Sequence, residues 1–166
     1  MNIKIKNELK KIRDNIDAGE FHVHDKMPAY IVENKNSHIN TDIRFVDTPT
    51  VGQDEALVAV MAAGFNFNTI WTIEGKPVST FEFLKRNKLV SSAPQDHNLP
   101  YHIPGSDASG VVVKLGTNDT SWKIGDKVVI NCNWHRNNDS EIYNDSLLSN
   151  EQKIWGYETN FGSFAA

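Results

Sequence analysis

Pro104-Gly105-Ser106-Asp107-Ala108-Ser109-Gly110-Val111-Val112-Val113-Lys114-Leu115-Gly116, followed by Trp122-Lys123-Ile124-Gly125-Asp126-Lys127-Val128, decides how this chain folds. Residues 110–115 and 127–132 are β-branched runs joined by a polar turn that ends in Gly125-Asp126. Such runs suit a pleated, half-buried surface and read as neighbouring strands of a small barrel. The glycines around them allow positive φ and close backbone approach where a barrel turns.

Towards the N-terminus, residues 43–46 and 55–63 also read as strands, separated by the turn-forming Asp47-Thr48-Pro49. Ahead of them, Ile5, Leu9, Ile12 and Ile16 fall at helical spacing and predict an amphipathic helix stopped near Gly19. Residues 20–40 are polar and carry His22 and His24, whose spacing resembles a metal pair. With no third ligand nearby, they read as a solvated loop pair. Ser79 offers a hydroxyl cap to a short helix over 79–86. Residues 135–153 read as a long polar loop, in which Ser149-Asn150-Glu151-Gln152 matches a capping box. The expected fold class is mainly β with peripheral helices (α+β).

With 166 residues, 39% of them hydrophobic, the chain can bury one core of ordinary size. Seventeen Lys and Arg against 21 Asp and Glu give a net charge of -4, no footprint for nucleic acid or an anionic membrane, and favour a small-molecule partner. Cys132 is the only cysteine, which excludes an internal disulfide and a multi-cysteine zinc site within the chain. No apolar run approaches the roughly 20 residues that span a bilayer, and the N-terminus lacks a signal-peptide core, so a soluble cytoplasmic protein is expected. Gly-x-Gly-x-x-Gly occurs nowhere, and no alternation of helix and parallel strand follows residue 130, so a dinucleotide-binding Rossmann unit is not expected here.

The 104–116 and 122–128 stretches resemble the medium-chain dehydrogenase/reductase superfamily, where this segment lies in a GroES-like barrel domain packed against a Rossmann domain. The resemblance implies a partly open GroES-like β-barrel with an N-terminal amphipathic helical extension. It implies an extension over 1–40 and a substrate-side catalytic domain over 41–166, cut before the Rossmann domain. Zinc-dependent members carry a cysteine ligand and a Gly-His-Glu where this chain has Asn66 and Gly105-Ser106-Asp107. Neither thiolate nor imidazole stands at those positions, so a zinc-free reduction of an activated C=C is expected.

Four blocks bear a closer resemblance to the crotonyl-CoA carboxylase/reductase family: Met61-Ala62-Ala63-Gly64-Phe65-Asn66-Phe67-Asn68-Thr69-Ile70-Trp71-Thr72, Ser79-Thr80-Phe81, Leu99-Pro100-Tyr101-His102, and residues 154–165 beginning Ile154-Trp155-Gly156-Tyr157-Glu158. The resemblance implies NADPH, bound mainly by the absent domain, and conversion of crotonyl-CoA and CO2 to ethylmalonyl-CoA by a homo-oligomeric parent. The isolated chain is then expected to be inactive. Asn68 matches an asparagine that donates to a CO2 oxygen, Glu158 a glutamate that orders the pocket, and Tyr157 an aromatic position that shields it. Each role has a structural counterpart: Asn68 as an ordinary loop asparagine, Glu158 as a solvated carboxylate, Tyr157 as a rim aromatic. Asn66 is read as a structural or cofactor-side residue. The alternatives are a non-carboxylating enoyl- or acryloyl-CoA reductase, or a non-catalytic barrel acting with a separate Rossmann subunit.

Overall fold

A computed structural model of the chain describes residues 2–35, 38–90, 99–118, 121–134 and 152–166. Helix α1 (Ile3–Asp17) starts at Asn2, whose side chain accepts from the Lys4 amide, and ends before Gly19 at φ 77°. Its apolar stripe faces inward as its spacing predicts, with Ile5 buried and Leu9, Ile12 and Ile16 half-buried.

Two antiparallel three-stranded sheets follow. Strand β1 (Lys26–Lys35) pairs along its whole length with β2 (His38–Asp47), and on its other side with β4 (Tyr101–His102). Strand β3 (Ala56–Gly64) pairs with β5 (Asp107–Leu115), which pairs in turn with β6 (Lys127–Val129). A two-stranded sheet joins β7 (Asn133–Trp134) to β8 (Lys153–Ile154). Helices α2 (Phe67–Glu74) and α3 (Thr80–Val90) lie between β3 and β4 in the chain. The expected pairing of the two valine-rich strands is present. Among the described residues the strands form separate sheets and no closed barrel.

Two elements differ from the sequence expectation. The polar stretch 20–40 contains β1, ten residues long, in which Ala29, Ile31 and Val32 are buried. Residues 67–74, to which no helical period points, form α2 between two local signals, the Asn66 cap and Gly75 at φ 70°. The expected polar loop over 135–153, with its capping box at Ser149, lies largely outside the described residues.

The core sits between the first sheet and the end of the chain. Ala29, Ile31, Val46, Tyr101 and Ile103 form its buried centre, with Met27, Leu99, Phe161, Phe164 and Ala165 packed around it. The final residues add to β1 as a further edge: Tyr30 donates to the Phe164 carbonyl at 2.8 Å, and Ala166 to that of Pro28 at 3.2 Å. The same stretch crosses the 103–105 segment, where Ile103 donates to Asn160, Ser163 to Gly105 and Phe164 to Pro104. Blocks far apart in sequence are therefore laced together by backbone bonds.

Candidate functional site

The site is built where α2, the Gly105-Ser106-Asp107 turn and the 154–158 turn gather. Asn66 is the N-cap of α2, and its side-chain oxygen accepts from the Thr69 amide at 3.1 Å and from the Thr69 hydroxyl at 3.4 Å. Its amide nitrogen donates to Ser106 Oγ at 3.3 Å and to an Asp107 carboxylate oxygen. An asparagine side chain offers two donor hydrogens and two lone-pair sites. All four are in use, so neither hydrogen of Asn66 is left for a further ligand.

Asn68 lies two residues further on, half-buried in the first turn of α2. Its neighbour Thr69 is 1% exposed and anchors the helix inward, while Phe67 and Trp71 lie on the outer face with ring centroids 6.3 Å apart.

Tyr157 and Glu158 come together on one turn. Ile154 donates its amide to Glu158 Oε2 at 2.7 Å, and the Glu158 amide returns a bond to the Ile154 carbonyl at 2.8 Å. This reciprocal pair closes the turn around Trp155-Gly156-Tyr157. Gly156, at φ 74°, lets the turn press onto the preceding motif, since a Cβ there would stand 1.9 Å from the Gly105 carbonyl oxygen.

Tyr157 is nearly buried, packs 5.6 Å from the Phe83 ring and donates its hydroxyl to the Lys76 carbonyl at 3.1 Å. Burial, and then the Glu158 charge, push its phenol above the ordinary tyrosine range. From α3, the buried Thr80 hydroxyl donates to the Tyr157 carbonyl at 2.8 Å. Tyr157 thus grips the turn that follows α2, whereas Asn68 lies near the other end of that helix, on the order of 10 Å away along its axis at about 1.5 Å per residue.

Several residues that no motif reading singles out complete this region. Asn160 is fully buried and donates to the Tyr101 carbonyl at 2.6 Å, fixing the end of the site turn to β4. His102 is fully buried in a T-shaped contact with the Phe81 ring, centroids 5.2 Å apart, and neither ring nitrogen has a hydrogen-bond partner among the described residues. Thr80 and His102 lie inside blocks quoted above, but nothing in their spacing announces burial.

At the Asn66 corner the donor set is one amide, one hydroxyl and one carboxylate, bonded among themselves, which is not a tetrahedral nitrogen and sulfur set. Among the described residues, no group of three or more His, Cys, Asp or Glu side chains lies together. A dinucleotide pyrophosphate is held at a strand, Gly-rich turn and helix of a parallel sheet. Every described strand pair is antiparallel, so the described residues do not form that site.

Residues 52–166 match the alcohol dehydrogenase GroES-like domain, and the chain belongs to that family. Within it, the chain is 50% identical over 120 residues to the crotonyl-CoA reductase of Streptomyces avermitilis, covering 72% of this chain and 27% of that protein. It is 41% identical over 162 residues to the crotonyl-CoA carboxylase/reductase of Cereibacter sphaeroides, covering 92% of this chain and 34% of the relative. Among solved structures, the 2-octenoyl-CoA carboxylase reductase CinF from a Streptomyces species superposes with a TM-score of 0.82 at 34% identity, over 95% of this chain and 41% of CinF. A second CinF structure holds NADP and 2-octenoyl-CoA and superposes with a TM-score of 0.77 over 87% of this chain and 35% of CinF. The chain therefore spans about a third of the length of these relatives. No helix among the described residues is long and apolar enough to cross a membrane.

Proposed function

We propose that this chain is the substrate-side part of a zinc-independent, NADPH-dependent reductive carboxylase that converts an enoyl thioester, crotonyl-CoA or a near homologue, and CO2 to the carboxylated acyl-CoA, here ethylmalonyl-CoA. The reading is carried by the turn at Tyr157-Glu158, held by the reciprocal Ile154–Glu158 bonds and by the Tyr157 hydroxyl, in a chain half identical to a crotonyl-CoA reductase over 120 residues. The carboxylase named in Cereibacter sphaeroides and the ligands held by CinF support the same substrate class and cofactor.

In this reading the nicotinamide supplies hydride to the β-carbon, and its binding residues belong to a Rossmann domain outside this chain. The domain division follows: an N-terminal extension over 1–40 whose strand β1 is shared with the core of the next unit, a GroES-like catalytic domain over 41–166 built as part of a partly open barrel, and a dinucleotide domain in a longer, oligomeric parent. The single cysteine suits a reducing cytoplasm.

The chemistry asked of this chain is to favour CO2 over a proton at the α-carbon of the enolate. Carbon dioxide is uncharged and weakly held, so the site needs a fixed hydrogen-bond donor and few waters. Asn68 supplies the donor, from an amide with no hydrogen-bond partner among the described residues. Glu158 orders the turn, and the Tyr157 ring shields it.

The test is NADPH oxidation by the full-length enzyme with crotonyl-CoA, with and without bicarbonate, and mass analysis of the product. Ethylmalonyl-CoA is expected in the presence of bicarbonate. Butyryl-CoA alone at saturating CO2 overturns the carboxylase reading in favour of a simple enoyl reductase. Asn68→Leu is expected to shift product from carboxylated to protonated by roughly tenfold or more, as loss of one preorganised donor does elsewhere.

A further inference from the structure

We infer that Asn66 is a positioning residue: its amide clasps the Ser106-Asp107 turn to the start of α2 and so fixes where Asn68 points. The inference rests on the role proposed for Asn68.

Three observations support it. First, the two ends of the Asn66 side chain do different jobs, the oxygen capping α2 through Thr69 and the nitrogen holding Ser106 and Asp107 where β5 begins. Second, the backbone makes room for the clasp. Gly64, opposite Asp107 in the β3–β5 register, has no side chain, and a Cβ there would stand 2.9 Å from Asp107 Cβ. Third, α2 has only eight residues, a length at which a helix does not hold its own start in water. Its first turn is set by what ties it down, and Asn68 lies in that turn. With both hydrogens of its amide engaged by Ser106 and Asp107, Asn66 acts through Asn68.

The clasp has a polarity, which supplies the test. Asn66→Asp keeps an acceptor for the Thr69 amide but removes both donors and sets two carboxylates face to face. Combining it with Asp107→Asn reverses the donor and acceptor and restores the bond, while Ser106 can donate as well as accept.

In the full-length enzyme with NADPH, crotonyl-CoA and bicarbonate, Asn66→Asp is expected to lower the ratio of carboxylated to protonated product by roughly 10- to 100-fold, the scale set by ångström misplacement of a catalytic group. The double swap is expected to recover most of that ratio. Added to Asn68→Leu, Asn66→Asp should make the ratio no worse, since both act through one group. A melting temperature lowered with the ratio unchanged, or a swap no better than Asn66→Asp alone, overturns the inference and leaves Asn66 a helix cap.

The proposed function is judged separately, on the wild-type product. If the wild-type enzyme only protonates, the same variants are read by kcat for reduction. A fall in Asn66→Asp regained by the swap upholds the clasp, and an unchanged kcat overturns it.

Discussion

His102 is fully buried, and neither of its ring nitrogens has a hydrogen-bond partner among the described residues. A neutral imidazole in that position leaves its N–H unsatisfied at a cost of about 1–3 kcal/mol, and a charged one is disfavoured further. Burial holds its pKa down to about 4 from 6.5. Between those values the unfolded chain binds the proton and the folded chain does not, so stability falls as pH drops from 6.5 towards 4, by about 3 kcal/mol in total. His102→Leu removes both effects. Its melting temperature at neutral pH is expected to match or exceed wild type, and its decline across that acid window to be shallower. Parallel thermal melts followed by circular dichroism check this, and equal pH slopes would sink it. Tyr157 belongs to the same scale. Tyr157→Phe keeps the ring that meets Phe83 and removes the hydroxyl's bonds to the backbone of Lys76 and Val78, so a loss of about 1 kcal/mol or more in chemical denaturation is expected.

At the scale of the element, the 154–158 turn is the most constrained piece of the site. It presses onto the 103–105 segment through Gly156, whose positive φ and missing Cβ are both required by the Gly105 carbonyl. Gly156→Ala is therefore expected to destabilise the chain by about 3 kcal/mol or more, through backbone strain and displacement of the crossing segments. A denaturant midpoint unchanged from wild type would contradict the packing described here. What the sequence shows of these elements depends on whether the forces that make them are local. The stripe of α1 and the valine runs of β5 and β6 bury one face each, and their period is visible. Strand β1 is hidden because Pro28, Glu33, Asn34 and Lys35 break its apolar pattern. Its half-buried place comes from β2, β4 and the last residues of the chain. Helix α2 is hidden because Phe67, Ile70, Trp71 and Ile73 are aromatic or β-branched, and its helical state follows from a cap that is tied in turn to Asp107. Of the candidate site, the residue types at 66, 68, 157 and 158 were readable by resemblance. The network of Thr80, Asn160 and Ser106 was not, because each hydrogen bond joins segments at least 40 residues apart.

For the whole molecule, the described residues divide the proposed labour unequally. They provide an antiparallel scaffold, a capped helix bearing Asn68 and a closed turn bearing Tyr157 and Glu158, and they lack the parallel strand and Gly-rich turn that hold a dinucleotide. The 166-residue chain by itself is thus expected to bind NADPH more weakly than about 1 mM, a free energy smaller in magnitude than about 4 kcal/mol. Isothermal titration of the chain with NADPH checks this directly. Micromolar binding, near -8 kcal/mol, would mean that the chain holds a nucleotide site of a kind its described fold does not provide, and the division of roles proposed here would have to be redrawn. The titration also bears on the exposed aromatics. Phe65 and Phe67 are 67% and 72% exposed and flank Asn66 in sequence, an apolar face that a nucleotide bound to this chain alone could meet. With Trp122, Trp134 and Trp155 replaced by Phe, tryptophan fluorescence reports on it through Trp71, whose ring neighbours Phe67. No change in Trp71 emission on adding NADPH to that variant of the chain is the result that the division of labour requires.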